Sequence, residues 1–248
     1  NYAGRIQAAI PPQRELIHAA GVQYALFWRP RDVVGGDLYI FRRDERGCLF
    51  GLIDCAGHGV PGALITMLAH ATINQAISDL GLQDPAAILA RVDGSMRDML
   101  LMSQATTLAL ATNMDMGLAY VDLKTQELVF SGAKLDLYYS DGLTVERLLG
   151  ARRALGDRRS GNYQNVNMSW TSAHTFYLVT DGLLDQSGGE QGYGFGRSRF
   201  TEMIFLHAGK NLSDQIAEFD ATIARYQGES VQRDDMTLLC MRFAPGSG

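Results

Sequence analysis

Two kinds of hydrophobic spacing alternate along the chain, and the change from one to the other marks out its elements. Ile65, Ala69, Ile73, Ala76 and Leu80 recur at helical intervals between Pro61 and Gly81. That period puts them on one helix face, with proline suited to the first turn and glycine to the stop. A second helix is predicted from Asp84-Pro85, a cap followed by a first-turn proline. Its apolar face carries Ile88, Leu89, Val92, Met96, Met99 and Leu100. The methionines there read as irregular core filling rather than a cofactor box. Ahead of these helices the pattern is extended, over residues 22–28, 37–41 and 49–54, with turn-forming residues at 44–47 joining the last two runs.

Beyond Thr106 short apolar runs alternate with turn residues, at 108–111, 116–121, 128–130, 135–139, 145–149, 166–170 and 176–179. Helices are expected over 196–207 and 213–226, and a last strand over 236–243. Strands of antiparallel character with helices in two sequence blocks predict an α+β fold, sheet packed on sheet with helices outside. Residues 13–244 read as one domain. Residues 1–12 read as the end of a helix arriving from upstream, because Pro11-Pro12 cannot continue the helix of Ile6, Ala9 and Ile10. The six glycines between 182 and 196 predict a mobile loop suited to partner recognition or regulation.

Composition then narrows the function classes. Of 248 residues, 46% are hydrophobic and 20% charged, an ordinary globular balance. Lys plus Arg is 22 against 27 for Asp plus Glu, a net charge of −5 without any basic run, so nucleic acid is not an expected partner. Cys48, Cys55 and Cys240 have no Cys-x-x-Cys spacing, which argues against a disulfide scaffold or a zinc site and for a reducing compartment. No signal-peptide core or run of 18 apolar residues is present. The expectation is a cytoplasmic domain cut from a longer, membrane-anchored parent, since the chain starts at Asn1.

The polar residues that stand out sit where apolar strands end. Asp54 closes the run at 49–53 and is followed by Cys55-Ala56-Gly57-His58-Gly59; Thr180-Asp181-Gly182 closes the run at 176–179. Asp37 follows Gly35-Gly36, and Arg233-Asp234-Asp235 precedes the final strand. An Asp beside a Gly is often only a turn, but four such sites in one chain suggest converging carboxylates. Carboxylate oxygens suit Mg²⁺ or Mn²⁺, and four of them would repel one another unless two divalent ions compensated.

In this order, Val34-Gly35-Gly36-Asp37, Asp54-Cys55-Ala56-Gly57-His58-Gly59, Thr180-Asp181-Gly182 and Asp234-Asp235-Met236-Thr237 resemble the motif series of SpoIIE/RsbU-type phosphatases, members of the metal-dependent PPM (PP2C-like) protein phosphatases. Ile6, Gln7, Ile10 and Pro11 match the leading helix, and Tyr193-Gly194-Phe195-Gly196 a later segment; the SiaA-type phosphatases are the most similar group. The resemblance implies a PP2C-like α-β-β-α sandwich of two antiparallel sheets, with two Mn²⁺ or Mg²⁺ ions. It implies metal ligation by Asp37, Asp54, Asp181 and either Asp234 or Asp235, with Cys55 contributing only its backbone carbonyl. Asp37, Asp54 and Asp181 are thereby the catalytic aspartates. Water activated at the two ions would attack phosphorus in line, with no covalent intermediate and no nucleophilic role for Cys55.

His58 is the candidate for protonating the leaving oxygen, against the alternative of a solvated turn residue ahead of Pro61. Arg29 and Arg31 are candidates for gripping the substrate phosphate, against ordinary surface arginines. Asp115, in Asn113-Met114-Asp115, and Lys134 read as turn or surface residues. The implied substrate is a phosphorylated STAS (anti-anti-sigma-factor-like) protein, with an upstream sensor region and a homodimer as further partners. The alternatives are a catalytically silent binding module of the same fold and a small-molecule phosphohydrolase.

Overall fold

The computed structural model describes residues 19–102 and 113–245. The expected helix at 1–12 and strand at 108–111 lie outside the described residues. Twelve described strands and five helices follow in the order β1 (Val22–Arg29), β2 (Asp37–Arg43), β3 (Gly47–Cys55), α1 (Gly59–Leu80), α2 (Pro85–Met102), β4 (Met114–Asp122), β5 (Glu127–Ala133), β6 (Leu137–Ser140), β7 (Val145–Leu148), β8 (Val166–Ser169), β9 (Thr175–Val179), α3 (Asp181–Leu184), β10 (Ser187–Gly188), β11 (Tyr193–Gly194), α4 (Gly196–His207), α5 (Leu212–Gln227) and β12 (Met236–Phe243).

Two five-stranded antiparallel sheets form, in the orders β1-β12-β9-β6-β7 and β2-β3-β4-β5-β8. Strand β3 is buried from Gly47 to Ile53, so its apolar run does not alternate; both of its faces are covered. On one face Leu49 and Ile53 meet Ile73 of α1 and Ile88 and Val92 of α2. On the other, Phe50 packs between the sheets with Phe176 and Phe243, ring centroids 5.6 to 6.4 Å apart. A third apolar layer places α4 and α5 on the far sheet, through Phe200, Phe219 and Ile223 against Tyr177 and Leu238. The order is helix, sheet, sheet, helix, as expected.

The caps are local. Asp84 accepts the Ala87 amide at 3.1 Å, and Asn211 accepts that of Asp214 at 2.9 Å, starting α2 and α5. Two expectations need correction. Leu80 is 44% exposed, because α1 outruns the apolar layer beneath it. The glycine-rich stretch after Val179 is also structured: α3, then the β10–β11 ribbon, held where the Tyr226 hydroxyl donates towards the carbonyls of Tyr193 (2.9 Å) and Gly194 (3.1 Å).

Candidate metal centre

Register alone brings three carboxylates to one end of the second sheet: Asp37 of β2 faces Asp54 of β3, which faces Asp115 of β4. The other sheet ends at the same place. Its β9 runs out at Val179 into Thr180 and Asp181, the first residue of α3, while β12 begins just after Asp234 and Asp235. Asp37 joins the two sheets. Its Oδ2 accepts from the hydroxyls of Thr237 at 2.6 Å and Thr180 at 3.0 Å. Those threonines also bind each other, since the Thr180 amide donates to the Thr237 carbonyl and the Thr237 amide to Thr180 Oγ1, both at 3.0 Å.

Burial pushes Asp37 up to about 8, against the pull of the Thr237 hydroxyl; Asp235 and Asp234 add repulsion. Asp54 is raised well above the carboxylate range by burial and by Asp37, Asp181, Asp115 and Asp234. Asp181 is raised by loss of hydration although it opens to solvent, and it shares a hydrogen bond with Asp54 that works the other way. Asp115 is raised by burial and held back by Lys134, whose Nζ lies 3.3 Å from its Oδ2. Two carboxyls share a hydrogen bond only when one holds a proton. The cluster therefore has the chemistry of a site short of positive charge.

Asp235 is a different kind of residue. It is 3% exposed, and both of its oxygens are committed, Oδ1 to the Arg31 amide at 2.7 Å and Oδ2 to the Gly36 amide at 2.6 Å. A Cβ at Gly35 would lie 2.5 Å from Asp235 Oδ2, and one at Gly36 would lie 2.5 Å from the Cys55 carbonyl oxygen. These two glycines let the loop before Asp37 close onto Asp235 on one side and onto the β3 end on the other. Asp234 spends one oxygen on the Asp235 amide at 2.9 Å and faces the cluster, as its repulsion of Asp37, Asp54 and Asp181 shows.

The other candidates separate in the same way. Cys55 is buried and its thiol is pushed up by burial, far from nucleophilic; its amide donates to the Gly36 carbonyl at 3.1 Å. His58 precedes α1 at the rim, with Nδ1 2.9 Å from Asp32 Oδ2, and is exposed. Arg29 points away from the cluster: its guanidinium binds Asp220 of α5 at 2.6 Å and lies over the Phe27 ring. That charge is already spent on α5, which corrects the expectation of a phosphate contact. Arg31 stays at the site end, its Nη1 donating to the Arg233 carbonyl at 2.8 Å. Thr180 and Thr237 stood in the sequence motifs without a role of their own, and Arg197, which with Asp54, Asp115, Lys134 and Asp181 lines a small cavity of about 50 Å³, went unread.

The donor set fits hard divalent cations. Its side-chain donors are all oxygen, and its raised carboxyls would lose their protons to a neighbouring cation. Among the described residues no three carboxylate, imidazole or thiol side chains converge on a single point. Ions here would keep water and take one or two carboxylates each, the usual habit of Mg²⁺.

Comparisons with known proteins agree with the fold. The sequence profile of the Stage II sporulation protein E (SpoIIE) family matches residues 44–244. The SiaA-PP2C domain of Pseudomonas aeruginosa is 53% identical, with a TM-score of 0.91 over 98% of this chain and 94% of that one. The PP2C phosphatase domain of SpoIIE from Bacillus subtilis, solved with a fragment of its regulatory domain, is 13% identical, with a TM-score of 0.73 over 90% of this chain and 63% of that one. RsbX in complex with magnesium is 12% identical, with a TM-score of 0.63 over 92% and 98% of the two chains. No match was found among curated protein sequences.

Proposed function

The chain belongs to the SpoIIE family as a PP2C-type serine/threonine phosphatase domain, and we propose that it removes phosphate from a phosphoserine or phosphothreonine of a small STAS-type regulatory protein with two Mn²⁺ or Mg²⁺ ions bound. The observation that carries this reading is the meeting of Asp37, Asp54, Asp181 and Asp234 at one rim of the sandwich with too little positive charge to match them. A silent binding copy would have no use for such repulsion. The magnesium in RsbX, a protein of the same fold, supports the choice of cation.

Asp37, Asp54, Asp181 and Asp234 would hold the ions, with the Cys55 carbonyl as a further oxygen. When bound, the ions supply Lewis-acid stabilisation of the phosphoryl oxygens and a nucleophile at neutral pH. The chain does the rest. The two threonines hold Asp37 in one orientation through its Oδ2. Asp235 orients the loop that carries Asp37 and takes no ion itself, because both its oxygens are in use. Arg31, whose Nη1 donates to the Arg233 carbonyl at the rim, would meet the substrate phosphate as a fork. His58, aligned by Asp32, is placed to hand a proton to the leaving serine oxygen.

The upstream residues would connect the domain to a sensor region and to a second copy. No described helix is long and apolar enough to cross a membrane. Hydrolysis of p-nitrophenyl phosphate with and without Mn²⁺, followed by turnover of a phosphorylated STAS domain, tests the proposal. Metal-independent turnover would sink the two-ion reading. Turnover of the small ester with none of the phosphoprotein would leave a small-molecule phosphohydrolase.

A further inference from the structure

A groove of about 660 Å³ leads away from the cluster, between the rim of β6 and β7 and the start of α4. It joins the small cavity at Asp54, because Asp115, Lys134, Asp181 and Arg197 line both. Its charges divide into two ion pairs, two arginines, and the carboxyls of Asp181 and Asp185 on the side of the cluster. Lys134 is paired with Asp115 at 3.3 Å, and Arg147 with Asp136 at 3.0 Å. Arg152 and Arg197 are exposed and have no hydrogen bond or ion pair among the described residues. Asp185 lines the same groove and pairs with neither, lying instead beside Asp181 and adding to its repulsion.

Local stability does not account for either arginine. Arg197 occupies the first turn of α4, where no acidic residue is present, and where the helix end's own partial positive charge disfavours a cation. Arg152 follows Ala151, whose backbone pairs with Gly132 and Lys134, so its position is set by the rim while its side chain is left over. In a chain of net charge −5, two unmatched guanidinium groups along one groove mark where an anionic partner would be taken.

We propose that this groove is the docking track for the substrate residues flanking the phosphorylated serine, and that Arg197 and Arg152 select acidic side chains there. Arg197 reads the position beside the phosphoserine, since it also borders the inner cavity, and Arg152 reads a position farther out. Guanidinium forks match carboxylates in two-point geometry, which favours Glu or Asp over a neutral residue. This inference rests on the phosphatase reading and names its specificity.

The test uses the full chain with Mn²⁺ and two synthetic phosphoserine peptides of equal length, one flanked on both sides by Glu and one by Gln. The wild-type protein should favour the Glu peptide by about tenfold in kcat/KM, carried by KM, and the preference should fade at high salt. Arg152→Gln and Arg197→Gln should each cut the ratio several-fold, and the double variant should bring it near one. Because the ratio compares two substrates on the same protein, a partly damaged variant still reports. Arg152→Glu should turn the preference towards a Lys-flanked peptide.

A wild-type ratio near one, or a ratio that survives in the double variant, overturns the docking assignment and leaves the phosphatase reading intact. Failure of the wild-type protein to hydrolyse either peptide or p-nitrophenyl phosphate overturns that reading and this inference with it.

Discussion

The two ends of the β2–β3–β4 ribbon carry the same residue type in opposite circumstances. At the far end Asp44 accepts the amides of Arg46 and Gly47 at 2.9 and 2.7 Å. Asp122 there accepts two backbone amides and the Arg46 guanidinium at 2.7 Å. Both carboxyls sit below their usual range: burial is the largest single influence and raises them, but their several donors together outweigh it. At the near end Asp37, Asp54 and Asp115 sit above it, buried against one another with too few donors. One set holds the fold together. The other is held by the fold at a cost, one that bound cations would offset.

The largest effect should come from the expensive end. Asp181→Asn removes one charge at almost no change in volume, so metal-free thermal stability should hold or rise. Turnover with Mn²⁺ should drop by about 100-fold or more, and calorimetry should show Mn²⁺ affinity falling with it, a larger loss than the usual effect of residues that only orient ligands. A folded variant with near-normal turnover would remove Asp181 from the site.

Asp235 blurs the division: burial raises its carboxyl as it does those of the cluster, yet its oxygens accept backbone amides as those of Asp44 do. Asp235→Ala orphans the Arg31 and Gly36 amides, each a loss of about 1 to 3 kcal/mol. Chemical denaturation should register that loss, and Mn²⁺ affinity should weaken by about 10- to 100-fold through the displaced loop. Normal stability in this variant would reverse the assignments of Asp234 and Asp235.

The two ends should also answer pH in opposite directions. Asp37 keeps its proton up to about 8 in the folded protein but loses it near 4 when unfolded. The folded state thus binds more protons across that window, and metal-free stability should fall as pH rises from about 4 to 8. Asp44 and Asp122, lowered on folding, contribute stability that is lost only as pH drops below about 4. Thermal melts across this range, repeated with saturating Mn²⁺, should show the decline disappear. A flat metal-free profile would contradict the burial of Asp37.

The smallest effect belongs to Arg46→Ala. It breaks a half-exposed pair and should lower stability by about 1 kcal/mol or less, with p-nitrophenyl phosphate turnover unchanged.

Much of this division could be read before any fold was known. Asp54 is legible because five apolar residues run up to it, and Asp181 for the same reason; a carboxylate that ends a buried strand has to face something. Their convergence was not legible, because it depends on strand register and on contacts between residues 143 and 200 positions apart. The roles of Thr180 and Thr237 were overlooked because threonine in or beside a strand is ordinarily read as strand propensity. Arg29 could have been set aside on parity: it shares a strand face with Phe27 and Ala25, both packed towards α5. No comparable rule separates Asp234 from Asp235. Only the two amides that reach Asp235 do so.

Strand ends ordinarily fray, and in a sandwich either rim can open first. Here one rim is bolted. The Asp37 carboxyl takes one hydroxyl from β12 and one from the residue that follows β9, both of the opposite sheet, whereas the partners of Asp44 and Asp122 lie in their own sheet's turns and strands and at Gln83. Separation of the sheets should then begin at the Asp44 rim, and hydrogen exchange should find the Thr180 and Thr237 amides among the slowest of the two sheets. The rim that carries the candidate metal site would then be the hinge about which the two sheets part.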